Sequence, residues 1–317
     1  MTVDSMHAQK EAVGRVSNQP TSSAAQQFAD RSTAKAGAPI RSAFLLNPPQ
    51  TKGKTPMADL LTSKSSGSGG RGGGTRLALL LSALWVGAAP PHTSTRATSW
   101  WADLIGLPEP ATRGTRTVSS NLHELHSRGF ITLTPSTDGR PNRIDLLNET
   151  GSRQQYQQPY RTGEHYKRIP ETLWTTGKIG ELDGRALAMY LILLYYHRDP
   201  DTWTWFSSES FRQRHSLSDN LRTKGLNLLV QTGVAQRKEA YVDADLDGEY
   251  RTTRRRWYQL MPTYQPPKSP GKPVPKRVGD ATDDILNPAV TRRGRTARFN
   301  AGADDDPWGS TPRESAF

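Results

Sequence analysis

The sequence predicts a mainly α fold with small β-hairpins (α+β), built as two similar units in tandem between disordered N- and C-terminal tails. Three observations predict it. The stretch Gly114 to Glu149 reads helix, tight stop, strand, turn, strand. A second stretch, Asp219 to Met261, repeats that order. Residues 1–75 are poor in apolar side chains, and residues 265–317 are rich in proline and mixed charge.

Taken in order, residues 1–75 are dominated by Ser, Ala, Gln, Gly and Thr, a composition that cannot bury enough apolar surface to offset chain entropy. The run Ser65 to Gly74 reads as a flexible linker. One apolar island, Ile40, Ala43, Phe44, Leu45 and Leu46, reads as part of an inert tail, with a short docking peptide as the alternative. Gly53-Lys54-Thr55 ends like a phosphate loop, but Pro48 stands where that loop needs its first glycine, so no nucleotide site is expected.

The first unit, residues 76–150, opens with a helix from Arg76 to Gly87 whose core face is Leu77, Leu80, Leu81, Leu84 and Trp85. Thr98 or Ser99 is the expected N-cap of a second helix, packed by Trp100, Trp101, Leu104 and Ile105 and closed by Gly106 and Pro108. In the third helix Val118, Leu122 and Leu125 form one apolar stripe at i, i+4, i+7. Gly129 stops it at the left-handed C′ position. Phe130 to Thr134 alternates as a strand, Thr137 to Asn142 is dense in turn formers, and Arg143 to Leu147 is a second strand. Helix, stop and hairpin in that order make the second half of a winged helix, the helix-turn-helix variant with a hairpin beside its recognition helix.

Residues 151–165 form a polar connector. The second unit, residues 166–264, begins with an entry strand at Tyr166 to Pro170 and a helical turn at Glu171 to Thr175. Gly184 to His197 is apolar nearly all round and reads as a buried helix. Trp203, Trp205 and Phe206 suggest a short strand. Ser207 or Ser208 caps a helix reaching about His215; Ser218 caps the next, which Gly233 ends. Val234 to Val242 and Arg251 to Met261 form a long hairpin.

Counted back from Gly129 and Gly233, the units correspond. Leu125 matches Leu229 and Leu122 matches Leu226; the polar face Arg116, Ser119, Ser120, His123 and Ser127 matches Asn220, Thr223, Lys224, Asn227 and Gln231. Val118 falls opposite Arg222, and Leu221 is expected to take over its packing role. Composition did not require a repeat, so its presence is evidence for tandem winged helix-turn-helix domains.

The residues Ile169-Pro170, Leu173-Trp174, Gly177, Gly184, Ala186 to Met189, Leu191 to Leu194, Trp205-Phe206-Ser207, Leu217-Ser218 and Gly225 carry a further resemblance. On these the second half resembles uncharacterised winged-helix proteins of actinobacteria, the high-GC Gram-positive bacteria. The resemblance covers about a quarter of the chain; it implies a DNA-binding fold and no defined activity. The Leu122-to-Ile131 pattern loosely resembles the winged helix of MarR-type regulators.

The chain has a formal charge of +12 and a pI near 10.0, a balance that favours polyanions. It contains no cysteine, which excludes disulfides, thiolate zinc sites and cysteine nucleophiles. No signal peptide is visible, and the longest apolar runs fall short of the roughly 20 residues that span a bilayer. A cytoplasmic, nucleoid-associated protein with no membrane partner is expected.

Groove-reading helices present short hydroxyls, amides and cations with little acid. Arg116, Ser119, Ser120 and His123 are the candidates in the first unit, and Asn220, Thr223, Lys224 and Asn227 in the second. Arg140, Arg143, Arg254, Arg255 and Arg256 are the wing residues expected at phosphates or in a minor groove. From Arg251 to Arg277 there are eight Lys or Arg and no acid. Arg293-Gly294-Arg295 has the core of a minor-groove hook but no flanking proline, and Asp304 to Asp306 offers an acidic mask for a basic surface. Asp243, Asp245, Asp247 and Gly248 copy the first half of a calcium loop, but Arg254 occupies the position that needs a bidentate carboxylate. His123 and His126 share a helix without further ligands. No catalytic residue, metal site or cofactor is expected. The function expected is therefore sequence-specific binding of double-stranded DNA, as a transcriptional regulator, with the tails open to a protein partner. The alternatives are a plasmid- or phage-type replication initiator that binds repeated sites, and, from another class, a winged-helix protein-interaction scaffold. The first unit is nearly neutral, with seven Arg against six acids from Arg76 to Glu149, which keeps the scaffold open.

Overall fold

A computed structural model describes residues 22–32, 37–47, 53–62, 72–136, 139–246 and 249–267. The expectations for residues 1–21, for the Gly-Ser run up to residue 71, for the half calcium loop at 247–248 and for the tail beyond residue 267, including its Arg-Gly-Arg and Asp304 to Asp306, fall outside the described residues.

Within the described residues, the segment expected as a tail is part of the fold. It forms α1 (Ser23–Arg31), β1 (Ala38–Arg41), α2 (Ser42–Leu45) and α3 (Pro56–Leu61). The island read as inert is core: Ile40, Phe44 and Leu45, with Met57 and Leu60, are at most 1% exposed. Composition averaged over 75 residues concealed short apolar groups that are individually well patterned. Local chemistry fixes their ends. Ser22 Oγ accepts from Ala25 N at 3.2 Å, and Thr55 Oγ1 from Ala58 N at 3.1 Å with Pro56 just inside the helix.

The next helix, α4 (Gly72–Val86), starts four residues before Arg76. Its glycines, expected as linker, serve close packing. A Cβ on Gly73 would sit 2.5 Å from Leu61 O, and one on Gly74 2.7 Å from Gly184 N. After α4 come β2 (Thr93–Ser94), α5 (Thr98–Leu104), α6 (Arg113–Ser127), β3 (Ile131–Thr134) and β4 (Arg143–Leu146). The N-cap of α5 is Ala97, with no side-chain bond, rather than Thr98 or Ser99. Val118, Leu122 and Leu125 are buried, and Gly129 adopts φ +79°. β4 lies between β2 and β3, with Ile131 opposite Leu146 and Thr93 opposite Asp145.

The connector is not a free linker. Leu147 bridges to Gln155, α7 (Pro159–Thr162) follows, and Tyr156 and Pro159 are buried. β5 (Tyr166–Ile169) pairs antiparallel with β1, so the N-terminal segment and the second half share a sheet. Then come α8 (Thr172–Thr175), α9 (Lys178–Glu181) and α10 (Gly184–Tyr196). Asp183 caps α10 by accepting from Arg185 N and Ala186 N. Of the expected strand at Trp203 to Phe206, only a bridge from Thr204 to Tyr258 forms. α11 (Ser208–His215) and α12 (Asp219–Gln231) precede a hairpin of β6 (Ala235–Leu246) and β7 (Glu249–Leu260), longer than expected, and a 3-10 turn at Pro262–Tyr264. Ser218 caps α12 through Leu221 N at 3.2 Å; Ser207 precedes α11 without a side-chain cap bond.

The architecture is mixed α/β with small sheets, and one buried apolar cluster runs from Ala24 to Tyr264. Within it α4 packs against α10 and, through Trp174, against α8. Trp85 stacks on Trp174 at 4.6 Å between centroids, and Trp174 Nε1 donates to Ser82 Oγ at 2.9 Å. The N-terminal segment is strapped over both halves. Asp103 of α5 accepts from Ala24 N at 2.8 Å. Arg76 and Arg128 donate to the last carbonyls of α3, Leu60, Thr62 and Asp59, where a helix C-terminus favours cations. Asn47 N donates to Arg214 O, and Thr55 Oγ1 to His215 O, across the turn between α11 and α12.

His215 completes that strap. Leu45 O can only accept, so Nδ1 carries the proton and donates to it at 3.0 Å; Nε2 then accepts from Tyr196 OH at 3.3 Å. The ring is neutral and buried, and burial pushes its pKa down to about 4, with the hydrogen bond to Leu45 opposing and Arg214 assisting. Burial also pushes His197 down to about 4, helped by Lys167 and opposed by Asp199. Both folded values lie below the unfolded value of 6.5, so below 6.5 the unfolded chain binds more protons than the folded one. Stability is therefore expected to be full above about pH 6.5 and to fall towards about pH 4, by up to about 1.4 kcal/mol per pH unit for each histidine. Urea unfolding at a series of pH values checks this. Imidazole proton resonances of His197 and His215 that titrate near pH 6.5 in the folded protein would remove the assignment of neutral buried histidines.

Candidate nucleic-acid interface

The two halves repeat at the level of individual hydrogen bonds. Phe130 N donates to Leu125 O at 3.0 Å, and Val234 N to Leu229 O at 2.9 Å. Leu147 N reaches back to Phe130 O, and Met261 N to Val234 O, each at 3.0 Å. Gly129 and Gly233 both have positive φ, +79° and +71°. In each half a short segment before the second helix pairs with the returning hairpin strand: Thr93 and Ser94 with β4, Thr204 with β7. Leu122, Leu125, Leu226 and Leu229 are all buried. Leu221 is half-buried against the core, as its expected role in place of Val118 requires.

That inward stripe fixes what faces outward. On α6, Arg116, Ser120, His123 and Ser127 are exposed and Ser119 is half-buried. On α12, Asn220, Thr223, Lys224, Asn227 and Gln231 are exposed. The first turn of α6 holds Arg113 and no acid, and Arg116 follows. Cations at a helix N-terminus oppose the macrodipole, so helix stability does not account for them. Arg113 has a long pair with Glu109 at 3.7 Å; among the described residues Arg116 and Lys224 have no ion-pair partner. In α12 the first-turn acid Asp219 is neutralised by Arg222 at 3.0 Å, with Arg212 at 3.8 Å.

The wing residues are less free. Arg140 is exposed near the first hairpin tip, but Arg143 pairs with Asp145 at 2.7 Å. On the second hairpin Arg254 and Arg256 both bond to Glu239, which sits opposite Arg256 in the register. Arg255 projects to the other face and lies over the Trp205 ring at 3.9 Å. The same face carries Lys238, 4.1 Å above Trp203, and Trp257, edge-on to Trp205 at 6.2 Å. The sequence reading missed this group. The signal for it was present: the sequence pair Asp-Gly is a hairpin-turn signal, and a register counted from it sets Lys238 opposite Trp257 and Glu239 opposite Arg256, as found.

Among the described residues no cluster of His, Asp and Glu has the geometry to hold a metal ion, and no helix is long and apolar enough to cross a membrane. An open cavity of about 640 Å³ lies where the N-termini of α4 and α10 meet, lined by Leu61, Ala78, Ile105, Leu182 and Leu221 among others. None of the thirteen candidate DNA-contacting residues lines it. Comparison with known proteins gave no match to a protein-family model, a curated protein or a solved structure.

Proposed function

We propose that the chain is a sequence-specific double-stranded DNA-binding protein with two winged helix-turn-helix units, acting as a transcriptional regulator. One observation carries this: the order helix, short segment paired to the hairpin, helix, helix, hairpin occurs twice, the segment being β2 in the first half and the Thr204 bridge in the second, and each time the third helix turns an exposed row of hydroxyls, amides and cations away from the core. A helix of that kind, flanked by a hairpin, fits the major groove while the hairpin lies along the backbone. The net charge of +12 supports a polyanion as the partner. The common core of the two halves supports a monomer that reads two half-sites of unlike sequence, since the helices of the two units differ in every proposed contact residue.

Selection from a pool of random duplexes with the full chain tests the proposal. Retained fragments are expected to share a bipartite sequence after sequencing, and recovery should fall with added salt as phosphate contacts are screened. Retained fragments with no common sequence would overturn sequence-specific reading.

A further inference from the structure

The second hairpin carries a face on which aromatic rings meet cations. Thr204 pairs with Tyr258, and both turn inward. Their neighbours Trp203, Trp205 and Trp257 therefore lie on the other side of this small sheet, beside Lys238 and Arg255, with Trp257 buried and the other two at the surface. These three indoles stand outside the apolar cluster that fills the rest of the molecule. Trp203 and Trp205 are half-buried, Lys238 is exposed, and the indole N–H groups of Trp205 and Trp257 have no hydrogen-bond partner among the described residues. The strand register puts Lys238 and Arg255 on this face and Glu239 on the opposite one, with Arg237, Arg254 and Arg256.

We propose that this face binds single-stranded DNA, with unpaired bases stacking on the Trp205–Arg255 pair and on Trp203. The inference rests on the DNA-binding function proposed above and extends it to opened DNA. In a duplex the π-faces of the bases are occupied by their neighbours, so rings on a sheet surface can reach them only in unpaired strands. A guanidinium plane lying on an indole presents its second face as a flat, cationic stacking surface. An apolar protein anchor would meet charge at both exposed rings, whereas a base with its phosphate is matched by ring and cation together. A duplex reader that also holds a separated strand is suited to opening DNA at its site.

The test uses the full chain and a fluorescein-labelled oligo-dT of about 20 nucleotides, longer than the roughly 4–16 a single stacking platform covers, followed by anisotropy and by quenching of tryptophan emission. Binding with quenching is expected. Trp205→Ala should weaken it about 10- to 100-fold, the worth of one stacked base. Arg255→Lys keeps the charge and the fold but removes the plane, and should weaken it about fivefold. Trp205→Ala should keep the affinity of the wild-type chain for the selected duplex. Wild-type binding of oligo-dT by Arg255→Lys and by a folded Trp205→Ala overturns the inference. So does a chain that binds duplex but not oligo-dT, which leaves the duplex function standing. A chain that binds neither removes both.

Discussion

Arg41→Ala is expected to destabilise the protein by about 3–5 kcal/mol, because it leaves a buried carboxylate without its cation. Arg41 is 1% exposed and Glu149 0%. The guanidinium donates through Nη1 to Glu149 Oε2 at 2.6 Å, through Nε to Glu164 Oε2 at 2.6 Å and through Nη2 to Gln157 O, and the Arg41 N–H donates to Glu149 Oε1 at 3.0 Å. Its Cζ also lies 5.3 Å from the Tyr156 ring centroid. Burial pushes the Glu149 carboxyl up from its ordinary value, and Arg41 opposes that. Without Arg41 the opposition goes, and Glu149 titrates at a still higher pH in the folded state. A folded pKa raised above the unfolded value gives stability that is present at low pH and lost as pH rises through the folded value. The penalty should therefore be smaller near pH 5 than near pH 8, relative to wild type at each pH. Arg41→Ala with Glu149→Gln should recover part of the loss, because the amide oxygen still accepts from the Arg41-position N–H. Urea unfolding of the three proteins at the two pH values decides it. A loss under about 1 kcal/mol, the size of an exposed pair, would show that the ion pair does not hold the N-terminal segment to the connector.

That ion pair also marks where sequence stops being informative. The α6 stripe, its stop at Gly129 and the hairpin after it were legible, because Val118, Leu122 and Leu125 lie at helical spacing and one glycine carries the turn. So was the offset between Gly129 and Gly233. Arg41 and Glu149 stand 108 positions apart, and nothing local to either announces the other. The N-terminal segment was misread for the same reason. Ile40, Phe44 and Leu45 are too few to build a core alone; they are buried because β5, more than a hundred residues later, offers β1 an edge. At two residues, β2 is too short to show any period. The eight helix residues expected to meet DNA emerged at the surface except for half-buried Ser119, because the apolar stripe that was legible dictates which side turns outward. The wing arginines were harder. Their number was plain in sequence, and Asp145 lies only two positions from Arg143 on the same strand, but Glu239 becomes the partner of Arg254 and Arg256 only through the register of the hairpin.

The second large effect is on binding. Arg116→Ala combined with Lys224→Ala is expected to reduce affinity for the selected duplex by about 2–6 kcal/mol, or roughly 30- to 20,000-fold, taking about 1–3 kcal/mol for each base-contacting residue. The fold should not suffer. Both side chains are exposed, and surface changes of this kind stay within about 0.5 kcal/mol. Removing Arg116 takes a cation from near the N-terminus of α6, where the helix dipole disfavours it, so thermal stability should hold or rise slightly. A loss of binding without a loss of stability separates a contact role from a structural one. Each single variant divides the effect further. If Arg116 reads a base, Arg116→Ala weakens the selected duplex far more than a scrambled one; if it neutralises a phosphate, both weaken alike and the salt dependence becomes shallower by about one unit. Should the two-residue variant bind the selected duplex as tightly as the wild-type chain, α6 and α12 do not read DNA, and their polar faces belong to a protein partner, the outcome a scaffold requires.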